Sequence, residues 1–229
     1  MRTTLAIATA LLLSAGAASA ANLIVVEARG IALKPGTTVD STKPLVLKQG
    51  QHVTLISDAG ATLSIDGPYN QPPSAGGGGK SLGATLAALG TEHSARTGEA
   101  GVTRGGAPNT LPEAWLFDVT RSGNVCLREN TQPVFWRPDA KTEARLTVMP
   151  VDRSWKSQAA WPAGLSHITV TTDVPVHGGA AYVVNYAGTD YALAVNTIPA
   201  SLANDQMRAA WMVQKGCEAQ AAALLRPKK

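Results

Sequence analysis

The chain has 229 residues, of which 45% are hydrophobic and 16% charged, with a formal charge of +4. That is apolar material enough for a buried core, in one large or two small domains. The positive excess is small and scattered, with no block of five basic residues, so the composition argues against nucleic acid as a partner.

The N-terminus reads as a processing signal. Arg2 gives a short positive region, Leu5 to Ala18 is apolar and uncharged, and Ala18-Ser19-Ala20 matches a small-residue cleavage site. Cleavage is expected after Ala20, within a segment 1–20. No later run is long and apolar enough to span a bilayer as a helix. The expected address is therefore a periplasm or the outside of the cell, with no transmembrane segment in the mature chain.

From Ala21 the sequence turns β-like. LIVVEARGI, ending at Ile31, is rich in β-branched residues and predicts a strand, and Pro35-Gly36 predicts a turn. Leu45 to Gly67 carries the clearest alternation. Leu45 and Leu47, Val53 and Leu55, and Leu63 and Ile65 each fall on one face, while Val46, Thr54, Thr62 and Ser64 fall on the other. Three short strands are expected, joined by turns at Lys48–Gln51 and Asp58–Gly60. Gly67-Pro68-Tyr69-Asn70 and Pro72-Pro73 are expected to end the pattern. Residues 21–73 thus form a small β module.

Three short motifs lie in this module: L-x-x-G at Leu47–Gly50, G-x-x-V-T at Gly50–Thr54 and L-x-I-x-G at Leu63–Gly67. With VEARGIALKPGTTVD before them, they resemble the FecR-like periplasmic domain. The resemblance covers roughly a quarter of the chain. It implies a β-rich periplasmic unit of the kind used in signalling from outer-membrane receptors to a sigma factor. The chain departs from those regulators in having a cleavable signal where they carry a cytoplasmic segment and a membrane helix. The whole is also similar to exported proteins of an alphaproteobacterial type, which carry no activity across.

Residues 74–111 read as a Gly-rich linker, with Gly76 to Gly79 in a row and a possible short helix over Ser81–Ser94. Lys80-Ser81 follow the glycines but do not make a phosphate-binding loop, because Ser74 stands where its first Gly is required. From residue 112 to 229 a β-rich domain is expected. Its strands are read at Ala114–Val119, Asn124–Arg128, Val134–Trp136, Ala144–Met149, His167–Thr172, Ala181–Tyr186 and Tyr191–Val195, with hairpin turns at Arg121-Ser122-Gly123 and Ala187-Gly188-Thr189. Short strands at this spacing suggest a sandwich. After Ile198-Pro199 the period becomes helical, with Asn204 or Asp205 as N-cap and Gly216 marking a bend or a tight approach. The fold class is mainly β: a small N-terminal module plus a β-sandwich-like domain with a C-terminal α-helix.

An even count of cysteines in an exported chain predicts a disulfide between Cys126 and Cys217. Closing so long a loop restricts the unfolded chain by up to about 4–5 kcal/mol. The four histidines, His52, His93, His167 and His177, show no metal-ligand spacing, so neither a metal nor a cofactor is expected. There is no SxxK. Asp118, Glu129, Asp139, Asp173 and Asp190 fall at strand ends and turns, where solvated carboxylates are ordinary. No catalytic residue is assigned. Of the five tryptophans, Trp115, Trp136 and Trp211 read as core, whereas Trp155 and Trp161, in the loop-like SWKSQAAWPAG, are candidates for a surface binding site. The functional expectation is a non-enzymatic binding or sensing protein with an envelope protein or envelope polymer as partner. A structural accessory subunit is the alternative, and an envelope hydrolase a remoter one.

Overall fold

The computed structural model describes residues 22–73, 111–170 and 176–227. The expected signal segment, the poly-Gly stretch, the short helix over Ser81–Ser94 and the last residues of the strand expected to reach Thr172 lie outside the described residues.

The N-terminal module is built on a four-stranded sheet, β2-β1-β4-β5, from β1 (Asn22–Arg29), β2 (Thr38–Asp40), β4 (His52–Ile56) and β5 (Thr62–Asp66). β1 is buried on both faces, which is why its sequence is a continuous apolar run. Leu23 and Val25 face a core made with Leu45, Leu47, Val53, Leu55 and Ile65. Ile24 and Val26 face the opposite way, with Ile56. The expected inward residues of the alternating stretch are therefore inward. The expected meander is not formed, however. β3 (Leu45–Leu47) leaves the sheet and pairs with β6 (Tyr69–Gln71), in the stretch read as the end of the pattern. The crossing is tight: a Cβ on Gly67 would lie 1.9 Å from the carbonyl oxygen of Lys48. Alternation fixes which side chains face the core, not which strand is the neighbour.

The second unit is a two-layer β structure. One layer is a five-stranded sheet, β11-β10-β13-β14-β8, from β8 (Gly123–Arg128), β10 (Ala144–Pro150), β11 (Ser157–Trp161), β13 (Ala181–Tyr186) and β14 (Thr189–Ile198). The other is β12-β9-β7, from β7 (Leu116–Asp118), β9 (Val134–Trp136) and β12 (His167–Thr169). Phe117 and Phe135 from the small sheet meet Val148, Val184, Leu193 and Val195 from the large one. The expected strands are present, and the sequence reading missed β11. The turn at Arg121-Ser122-Gly123 is not a hairpin, since β7 and β8 belong to different sheets. Ala187-Gly188 is one: Tyr186 pairs with Thr189, and both turn residues have positive φ, 49° and 83°, as a type I′ turn requires.

Two helices close the chain, α1 (Asp205–Gln214) and α2 (Glu218–Leu224). Asn204 caps α1, its Oδ1 accepting from the Met207 N–H at 2.8 Å. Gly216 divides the helices. Its φ of 74° allows its own N–H to reach Val213 O and the Cys217 N–H to reach Met212 O, a Schellman turn. A Cβ there would lie 2.8 Å from Asn124 Nδ2, so Gly216 is both the bend and the close approach. The turn delivers Cys217 to Cys126 on β8, with the sulfurs 2.10 Å apart and a sequence separation of 91. No described helix is long and apolar enough to cross a membrane.

The helices also join the two β units. Ile24, Val26 and Ile56 share a core with Ile198, Leu202, Met207 and Trp211. Asn204 Nδ2 donates to Asp58 O at 3.0 Å, and Ser201 Oγ donates to Gly36 O at 2.9 Å.

Candidate functional site

The tryptophan pair does not form a surface site. β11 pairs with β10 from Ser157↔Val148 to Trp161↔Ala144, and that register turns Trp161 inward. Trp161 is fully buried, its Nε1–H donates to Leu165 O at 2.9 Å, and the Arg137 guanidinium lies 4.8 Å from its ring centroid. Trp155 is half-buried, its ring 6.0 Å from that of Tyr182. A ring committed to the core cannot stack on a ligand, so Trp161 is withdrawn from the site and the pair with it. Of the three tryptophans read as core, Trp136 and Trp211 are buried, and Trp115 is half-buried with Arg128 4.7 Å over its ring.

Polar side chains gather instead on the face of the four-stranded sheet opposite its Leu–Val core. The β4–β5 register places His52 opposite Asp66 and Thr54 opposite Ser64. The β1–β4 register, shifted by a bulge between Val25 and Glu27, places Arg29 opposite His52 and Glu27 opposite Thr54. Two cross-strand rows result: Arg29, His52, Asp66 and Glu27, Thr54, Ser64.

Within them, His52 Nδ1 lies 2.7 Å from Asp66 Oδ1, and its Nε2 lies 3.1 Å from Thr54 Oγ1. Arg29 Nε donates to Glu27 Oε1 at 2.6 Å. An ionised carboxylate only accepts, so Nδ1 carries the proton toward Asp66, and in the neutral ring Nε2 accepts from the Thr54 hydroxyl. The imidazole is thereby fixed in orientation and tautomer. The side chain of Asp66 is 81% exposed and that of Arg29 73%, while Thr54 is buried.

Carboxylate, imidazole and hydroxyl in this order have the connectivity of a nucleophile-activating relay. The placement is the reverse of what acyl transfer needs. Here the hydroxyl is buried in mid-strand and the carboxylate stands in water. The backbone N–H groups around Thr54 belong to a central strand, paired on both sides, which leaves no evident donor pair for an oxyanion. What the arrangement does well is present charges of both signs, and a fixed imidazole, at the end of this sheet face beyond Ile24 and Ile56, which pack with the helices.

Both strands and the turn between them are legible in the sequence. Counting back along the ladder from Ile56↔Thr62 pairs His52 with Asp66. Among the described residues no group of three His, Cys, Asp or Glu could hold a metal ion.

The predicted cysteine pair makes a different kind of site, a clamp. Beside the disulfide, the buried Gln220 side chain accepts from the Cys126 N–H at 2.6 Å and donates to the Cys126 carbonyl at 2.9 Å. Its amide acts as one more strand on the outer edge of β8.

No family model matches the chain, and it matches no curated protein and no solved structure.

Proposed function

We propose that this protein is a non-enzymatic binding or sensing component of the cell envelope, periplasmic or secreted after cleavage near Ala20, and that it meets its partner through the polar face of the N-terminal sheet. The observation that carries the reading is the row Arg29, His52, Asp66, exposed at both ends and held in register by three neighbouring strands. The buried disulfide supports an oxidising compartment.

The FecR-like resemblance fits the same face. Its motif positions Val53, Ile65 and Gly67 serve the core or the tight crossing, whereas His52 and Asp66 occupy the unspecified positions of G-x-x-V-T and L-x-I-x-G. On this reading the motif residues build the platform and the residues between them choose the partner, an envelope protein or polymer bearing charges of both signs.

The test is chemical crosslinking in the periplasm followed by capture of the tagged chain. Arg29→Ala with Asp66→Ala loses the crosslinked species while the protein stays folded, since both side chains are exposed. Unchanged capture by the double variant sinks the proposal. A fixed-stoichiometry complex that survives it favours the accessory-subunit reading.

A hydrolase is the second reading; only the order of the contacts Asp66–His52–Thr54 speaks for it, and the burial of Thr54 speaks against it. It requires ester hydrolysis by the purified protein that disappears in Thr54→Val. Equal rates in both proteins remove it.

A further inference from the structure

Sheet edges expose unpaired backbone N–H and C=O groups, and proteins blunt them with charge, short length, bulges or a cover. Most edges of the described sheets are managed in one of these ways. β2, β7 and β12 are three residues long, β8 is covered by Gln220, and β5 ends on the exposed carboxylate of Asp66.

β11 is the exception. Ser157–Trp161, SQAAW, is five residues long, carries no charge, and runs against β10 without a break in register. Its outer side has no backbone partner among the described residues. Gln158 and Ala160 are exposed. The connections on either side of it carry Val151, 60% exposed, and Leu165, 49% exposed.

We propose that β11 pairs antiparallel with β11 of a second copy of this chain across a twofold axis at Ala159, joining two five-stranded sheets into one. The strand is complementary to its own reverse. Ala159 meets Ala159, Gln158 of each copy meets Ala160 of the other, and Ser157 meets Trp161, so no large side chain opposes another. The next charge along the strand, Lys156, faces Pro162, and Arg145 stands one strand back, opposite Ala160 on β10. The two Lys156 ammoniums are offset by six residues, about 20 Å along the strands, well beyond the screening length of about 8–10 Å in physiological salt. An isologous contact of this kind closes after two copies and leaves neither β11 edge free to template further growth. It does not depend on the polar face of the N-terminal sheet.

Sedimentation velocity on the purified protein, from about 1 to 100 µM, tests the proposal. The wild type sediments at twice the chain mass over the upper part of this range. The double variant Gln158→Lys, Ala160→Lys places like charges opposite each other twice and sediments as a monomer. The variant Gln158→Glu, Ala160→Glu does the same, and an equal mixture of the two regains the dimer mass. Both variants keep the wild-type circular dichroism because both positions are exposed. A wild type that stays monomeric to 100 µM overturns the proposal, as does a lysine variant that still dimerises or a mixture that does not pair. A monomer that gains mass only with periplasmic extract also overturns it, in favour of another protein's strand.

Discussion

Arg137 shows how one residue can hold a loop. It is fully buried, and among the described residues no carboxylate forms a salt bridge with it. Its Nε donates to Leu165 O at 3.1 Å and its Nη2 to Pro162 O at 2.8 Å, while the guanidinium lies over Trp161. Nη1 has no hydrogen-bond partner among the described residues. The planar fork thus ties the β11–β12 connection to β9 through two carbonyls, a geometry lysine cannot copy. Arg137→Ala removes both bonds, the ring contact and the side-chain volume together. The expected loss is about 3 kcal/mol of unfolding free energy in urea titration, with a smaller loss for Arg137→Met, which keeps the volume. A loss under about 1 kcal/mol for the alanine variant refutes the loop-holding role.

At the scale of elements, the edge of β8 depends on a helix. Gln220 on α2 satisfies both outward backbone groups of Cys126 in a site that water does not reach. Gln220→Ala leaves a buried N–H and a buried C=O unpaired, at a cost of about 2–4 kcal/mol. Thermal unfolding followed by circular dichroism measures it. The amide protons of β8 should also exchange faster than those of β13, which has a strand on each side. Equal protection of the two strands in the variant contradicts an edge-covering role for Gln220. The same scale explains β11. SQAAW holds no β-branched residue, so propensity favours no strand. Pairing with β10 makes it one, and its inward residues, Ser157, Ala159 and Trp161, alternate only once that partner is known.

For the whole molecule, the helices are a hub between the two β units, and the disulfide locks that hub to the larger one. Met207 and Trp211 share a core with Ile24, Val26 and Ile56. Replacing Cys126→Ser and Cys217→Ser together therefore loosens more than one element. A loop of 91 residues is released in the unfolded chain, which costs about 4 kcal/mol in the chain-entropy account. The expected outcome is a lower midpoint in urea for both β units at once, read by tryptophan fluorescence for the second unit and by His52 proton resonances for the first. Separate transitions, with the first unit unmoved, contradict a shared core. Alkylation of the unreduced wild type should add no mass at either cysteine.

The sequence by itself determined the strand-rich class, the helical tail with its Asn204 or Asp205 cap, the Ala187-Gly188 hairpin and the partnership of the two cysteines. These are properties of local period, turn chemistry and cysteine count, legible without neighbours. Tertiary structure alone decided the rest. It moved β3 from β4 to β6, made a strand of SQAAW, buried Trp161 and Arg137, and set Gln220 against Cys126. Each of those outcomes depends on which segments meet across the fold. Side-chain alternation is the same whichever neighbour a strand finds, so the pattern that announces a strand cannot say where it docks.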